Sequence, residues 1–169
     1  MSDRNDLIDV ASIASSTVGG CLTPTYTIPD GDFNPMSPTL SIPAPDATFI
    51  IRQHETGKVI ALEDGELRLA DPNNLRGGYH WRCVRTSGWF GFRNCVSGTY
   101  IGHNERRKFI ASARHHKPHE YFTPVHHRCG GYELLIRHGN DMRSMAVADD
   151  GASLIEVNGD GALWDFLET

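Results

Sequence analysis

The sequence has no apolar run long enough to cross a membrane as a helix, no CxxC pair, and no basic-then-apolar leader in its opening residues. The first absence excludes a helical anchor in these residues, since a span needs about 20 mostly apolar residues. The acidic opening MSDRNDLIDVASIASS is unlike a secretory signal. Cys21, Cys83, Cys95 and Cys129 are scattered, which excludes paired-cysteine zinc or redox motifs and predicts free thiols in a reducing compartment. A cytoplasmic protein is expected. Positive charge is also short, with 16 Lys and Arg against 21 Asp and Glu, a net of −5. That acidity, with no nucleic-acid motif, argues against a nucleic-acid partner.

What is present divides near residue 46. Residues 1–46 are rich in Ser and Thr and hold Pro24, Pro29, Pro35, Pro38, Pro43 and Pro45, which excludes a long helix or a central strand. This reads as an N-terminal arm, extended or partly disordered. Leu7, Val10 and Ile13 allow a short amphipathic helix near residues 6–15. Laid over the rest of the chain, such an arm would cover a pocket. Residues 47–169 are enough for one domain with a proper core.

From Thr48 the chain repeats itself. Units of about 48–87, 88–128 and 129–169 each contain short apolar alternations broken by Gly, Asn and Asp, the signature of hairpin strands. Phe49 recurs as Phe90, Gly57 as Gly98 and Ile60 as Ile101, each 41 residues on. Met145 follows Ile101 after 44 residues, which predicts a longer first turn in the third unit. No helical period is sustained. Four short strands per unit make an all-β domain with internal threefold symmetry. Its core trios would be Ile60, Ile101, Met145 and Leu67, Phe109, Leu154.

The segments Gly57-Lys58-Val59-Ile60-Ala61 and Gly98-Thr99-Tyr100-Ile101-Gly102 resemble the repeat of the fascin-like β-trefoil superfamily, and Arg143-Ser144-Met145-Ala146-Val147 departs from it by lacking the glycine. The resemblance covers residues 48–169 and extends to small single-trefoil proteins of filamentous fungi. It implies a β-trefoil of twelve strands, six closing a short barrel and six capping it as hairpins. It says less about function. Ricin-type trefoil lectins carry Q-x-W near the end of each unit. The matching segments here are Trp81-Arg82-Cys83, Tyr121-Phe122-Thr123 and Trp164-Asp165-Phe166, without glutamine, which argues against a ricin-like sugar site. Fascins crosslink actin with several trefoils in one chain, so one trefoil argues against crosslinking. Histidine-rich single trefoils associated with actin and membranes under pH control are similar in design, at a much higher histidine density.

Five of the nine histidines fall in residues 113–128, ARHHKPHEYFTPVHHR. The stretch is a poor metal site. Adjacent His126 and His127 point to opposite faces of a strand. Pro118, between His116 and His119, excludes the helical i, i+4 presentation of zinc hydrolases. No metal and no cofactor is expected. Charge is more informative: the second unit carries +5, the third −6 and the arm −5. Arg93, Arg106, Arg107, Lys108, Arg114, Lys117 and Arg128 with six histidines form a basic lobe. Either the lobe pairs with the acidic third unit or arm, or it meets an anionic small molecule, an acidic protein surface or an anionic membrane. Arg93, Tyr100, Arg106, Arg107, Arg114, His115, His116 and His119 are the expected ligand contacts.

His103 aligns with Leu62 and Val147, so an imidazole stands where two symmetry mates are apolar. One reading is a core histidine bonded to a backbone carbonyl. The other is an acid/base or ligand contact, with Glu120 as partner and Arg93, Tyr100 and His116 nearby. Two functions follow. The first is an intracellular binding module that recognises an anionic or polar partner through the second unit. The second is a small cofactor-independent enzyme (a cyclase, isomerase or dehydratase of fungal metabolism) with His103 and Glu120 in a pocket under the arm.

Overall fold

The structure is a computed structural model that describes residues 40–169. The expected arm and its short helix fall outside the described residues, apart from its last few positions. Thirteen strands follow one another: β1 Leu40–Ser41, β2 Thr48–Gln53, β3 Val59–Glu63, β4 Glu66–Ala70, β5 Trp81–Thr86, β6 Trp89–Asn94, β7 Tyr100–His103, β8 Phe109–Ala113, β9 Phe122–His126, β10 Tyr132–His138, β11 Asp141–Val147, β12 Leu154–Val157 and β13 Leu163–Glu168. The only helical element among the described residues is a 3-10 turn, Pro118–Glu120.

Strands β2, β5, β6, β9, β10 and β13 pair antiparallel in a closed ring. The hairpins β3–β4, β7–β8 and β11–β12 stand off it, one per unit. They meet one another through Leu69 N–H to Ala152 O (2.8 Å) and Glu156 N–H to Arg107 O (2.9 Å). This is the expected β-trefoil. Strand β1 is additional. On one side β13 pairs with β2 along its length; on the other, β10 takes Trp164 and Leu163, and Leu40–Ser41 takes Leu167 and Phe166.

The core follows the alternation read from the units. Ile60, Ile101, Met145, Phe109 and Leu154 are fully buried, and Leu67 is 5% exposed. All six belong to one cluster, joined by Phe49, Phe92, Phe122, Trp81, Trp164 and Phe166 from the barrel strands. The ladder corrects one register. Phe49 faces Trp81, Phe90 faces Phe122 and Tyr132 faces Trp164, so the second unit's counterpart of the two tryptophans is Phe122, not Tyr121. The buried ring, not the partly exposed one, holds the position.

The third unit is longer for another reason than a longer turn. Strands β10 and β11 run seven residues each and are joined by Gly139-Asn140 alone, with His138 facing Asp141. Gly139 sits at φ +62°, the region a two-residue hairpin needs at its first position. The extra residues lengthen the ladder and carry His138 to its end. Among the described cysteines Cys83 and Cys95 are free thiols, but Cys129 is disulfide-bonded, which corrects the expectation of free thiols there.

Candidate functional site

Between β8 and β9 the chain leaves the barrel and makes the 3-10 turn. Pro118 fits the first helical position, where no N–H is required. Glu120 closes the turn twice: its N–H donates to Lys117 O (2.8 Å), and its Oε2 accepts from the Lys117 N–H (3.1 Å). The loop walls a groove of about 530 Å³ lined by Ala113, Arg114, His115, Lys117, Pro118, His119 and Glu120. Glu120 is buried, and loss of solvent pushes its carboxyl above the ordinary range, against the Lys117 N–H and the nearby cations that lower it. Arg114, His115, Lys117 and His119 are exposed.

His116 has a different task. Its Nε2 lies 3.1 Å from both Phe90 O and Glu120 O, so it carries the proton and donates to them. The ring stacks on Tyr100 (5.6 Å, 17°) and meets Tyr121 edge-on. A Cβ on Gly91 would lie 2.5 Å from Nε2, so only glycine lets the imidazole pass. Burial holds His116 below the ordinary histidine range. It props the loop against the barrel and is not one of the surface charges expected of this stretch.

The remaining expected contacts do not line the groove. Arg93 donates from Nε to Gly98 O (3.1 Å), and Tyr100 is taken up by His116. Arg106 and Arg107 sit on the β7–β8 turn, which Asn104 organises by accepting from the Arg106 and Lys108 N–H groups at 2.9 and 3.0 Å. Among the described residues the lobe meets the acidic third unit through His103, whose Nδ1 lies 3.0 Å from Glu156 Oε1, and not through its lysines and arginines. Among the described residues the Lys and Arg ion pairs are Arg52–Asp165, Arg68–Glu63 and Arg82–Asp46, and no cation of the second unit forms one.

His103 is 7% exposed. Its Nε2 lies 3.0 Å from Arg137 O, which is the carbonyl bond expected of a core histidine. Its Nδ1 lies 3.0 Å from Glu156 Oε1. His138 Nδ1 lies 3.1 Å from Glu156 Oε2, and the His103 ring is stacked between His119 (4.7 Å) and His138 (4.9 Å). Both ring nitrogens of His103 are therefore engaged, neither towards the groove. The expected His103–Glu120 acid/base pair is not assembled around one cavity: Glu120 lines the groove and His103 does not.

His138 and Glu156 were not singled out in the sequence. A signal existed for Glu156. On β12 it shares the inward period-2 face with Leu154, and its unit equivalents across from Ile60 and Ile101 are Leu69 and Ala111. A second buried carboxylate, Asp165, accepts from Arg52 and contacts His54 Nδ1, both at 2.8 Å, and ties β13 to β2.

Fold and groove define a β-trefoil with a cationic groove on its second unit. No protein-family model matches the chain, and no curated protein matches it in sequence. Solved structures do. A GlcNAcα1-4Gal-releasing endo-β-galactosidase of Clostridium perfringens is similar at TM-score 0.62 and 16% identity, over 73% of this chain and 32% of that one. The Macrolepiota procera ricin B-like lectin, in complex with lactose, is similar at 0.62 and 14%, over 76% and 100%. The Polyporus squamosus lectin, bound to the human-type influenza-binding epitope Neu5Acα2-6Galβ1-4GlcNAc, is similar at 0.61 and 10%, over 75% and 50%. The chain thus spans about a third of the clostridial enzyme. At these identities the likeness establishes the fold.

Proposed function

We propose that the protein is a non-catalytic β-trefoil binding module whose second unit takes a small anionic ligand, with an acidic saccharide as the ligand class. The observation that carries this is the pair Arg114 and Lys117, two cations without an ion-pair partner among the described residues, lining one concavity with His115 and His119. Neither cation is held in an ion pair, so their field reaches a ligand even though Lys117 lies near the Glu120 carboxyl, and a planar guanidinium suits a carboxylate. Concavity favours a small ligand over a flat protein or membrane face. Trefoil lectins of the same fold bind lactose and an epitope ending in Neu5Ac, a sugar acid, which supports the saccharide class. The groove precedes the segment where ricin-type lectins carry Q-x-W, so the missing glutamines do not bear on it. The glycine-turn motif at Gly57 and Gly98 supports a fascin-like lineage.

Calorimetry with a Neu5Ac-terminated trisaccharide, lactose and inorganic phosphate tests this. The sialylated sugar binds; lactose binds much more weakly; phosphate competes. Arg114→Ala/Lys117→Ala lowers affinity about 10-fold or more, since each charge-assisted bond is worth about 1.5–3 kcal/mol. Equal binding of lactose and the acidic sugar, or an unaffected double variant, rejects the reading.

A further inference from the structure

His103, His138 and Glu156 converge from the ends of β7, β10 and strand β12, and one ligand atom from each lies within 4.8 Å of the others. With neutral imidazoles the hydrogen-bond roles in this cluster do not balance. Arg137 O can only accept, so His103 Nε2 must carry a proton. In a neutral imidazole that leaves Nδ1 with a lone pair. Yet Nδ1 faces Glu156 Oε1 at 3.0 Å and Asn104 O at 3.4 Å, both acceptors. The Glu156 side chain is fully buried, and its Oε2 has no hydrogen-bond partner despite His138 Nδ1 at 3.1 Å. An unbalanced carboxylate in this setting is costly. Added positive charge removes the conflict, either a second proton on His103, which makes a buried ion pair with Glu156, or a cation held between the three groups.

We propose that His103 Nδ1, His138 Nδ1 and Glu156 form a binding site for a divalent transition metal, with Zn2+ the ion of choice. The donor set, two imidazoles and one carboxylate, suits zinc and leaves a fourth position open. The edge of a tetrahedron with bonds of about 2.0 Å is about 3.3 Å. Measured to the single oxygen Glu156 Oε1, His103 Nδ1 and His138 Nδ1 lie at 3.0 and 3.4 Å. The three ligand atoms stay within 4.8 Å of one another, so a bound ion draws the two imidazoles together. The His103 Nε2–H bond to Arg137 O is the outer-shell bond that orients a metal-bound imidazole and fixes its tautomer. All three ligands stand on strands, which preorganises them. Access is through His138, whose side chain is 34% exposed where His103 and Glu156 are buried. The metal would join the hairpins of the second and third units. The site's three ligands are distinct from the groove lining, although His119 of the groove stacks on the His103 ring, and the metal reading does not rest on the saccharide reading.

Untagged protein, stripped with chelator and dialysed, is titrated with Zn2+ by calorimetry and with Co2+ by visible absorption. One equivalent binds, raises the melting temperature, and gives the intense bands of a low-coordinate Co2+ site. His138→Ala, at a half-exposed position, keeps the fold by circular dichroism and lowers affinity by more than the ~10–100-fold that loss of an outer-shell partner costs. Glu156→Gln does the same if it folds. His115→Gln/His119→Gln retains the tight equivalent, which separates this site from the loop histidines. Absence of a stoichiometric equivalent in the wild type, or undiminished binding in His138→Ala, overturns the proposal.

Discussion

His103 Nδ1 and Glu156 Oε1 lie 3.0 Å apart, where the first unit has Leu62 and Leu69. Threefold symmetry is broken there by a matched pair: one unit supplies the imidazole and the next the carboxylate. Replacing both by the first unit's residues tests what the departure contributes. His103→Leu/Glu156→Leu is expected to fold and to be at least as stable as the metal-free wild type, because apolar groups of similar volume can replace a buried ion pair. Glu156→Leu alone is less stable than the double variant, as measured by urea denaturation.

Ile101 is fully buried at the centre of the second unit. Ile101→Ala removes packed volume that the surrounding strands cannot refill. A loss of about 2–5 kcal/mol is expected in urea unfolding. The same change at Ile155, on the opposite face of β12, costs much less.

Burial raises the Glu120 carboxyl above its ordinary 4.5. A group whose folded value is raised contributes stability that is complete below the unfolded value and is lost as pH rises through the folded one. Glu120→Gln therefore gains stability relative to the wild type as pH rises from below 4.5 through the raised value. Thermal melts across that window check it. A constant difference between the two proteins would refute the assignment.

His116 has the opposite sign. Its burial lowers the folded value below 6.5, so its contribution is present above 6.5 and lost as pH falls through the lowered one. His116→Gln loses the acid-dependent part of the melting curve below pH 6.5. Gly91→Ala, whose Cβ would meet the ring at 2.5 Å, displaces the imidazole and is expected to cost about 1–3 kcal/mol as overpacking. It also weakens ligand binding in the groove, because the Glu120 carbonyl bond is lost.

Cys83 and Cys95 differ in environment. Burial, with a smaller contribution from Asp46, pushes the Cys83 thiol up to about 12, while Cys95 is exposed. Under native conditions a thiol reagent labels Cys95 rapidly, and Cys83 reacts only in denaturant. Mass spectrometry of labelled peptides distinguishes them.

The threefold unit, the all-β class and both core trios were legible in the sequence, because a strand writes its buried face at period 2 within its own few residues. The loop around Pro118 was legible as a concentration of charge. His116 was misread as a surface charge, because only the barrel brings Phe90 O and Gly91 beneath it. The Phe122 register was misread by one residue, because alignment of aromatic positions cannot tell which of two adjacent rings points inward, whereas pairing with Phe90 does. The His103–His138–Glu156 cluster depended most on tertiary structure. His103 was legible as an imidazole at an inward position and Glu156 shares the inward face of its strand, but the members belong to two units and nothing in the sequence joins them to each other or to His138. Closing the barrel and leaning the hairpins together placed them side by side. Local alternation sets which face each strand buries, but which buried faces meet is set by the closure of the whole ring.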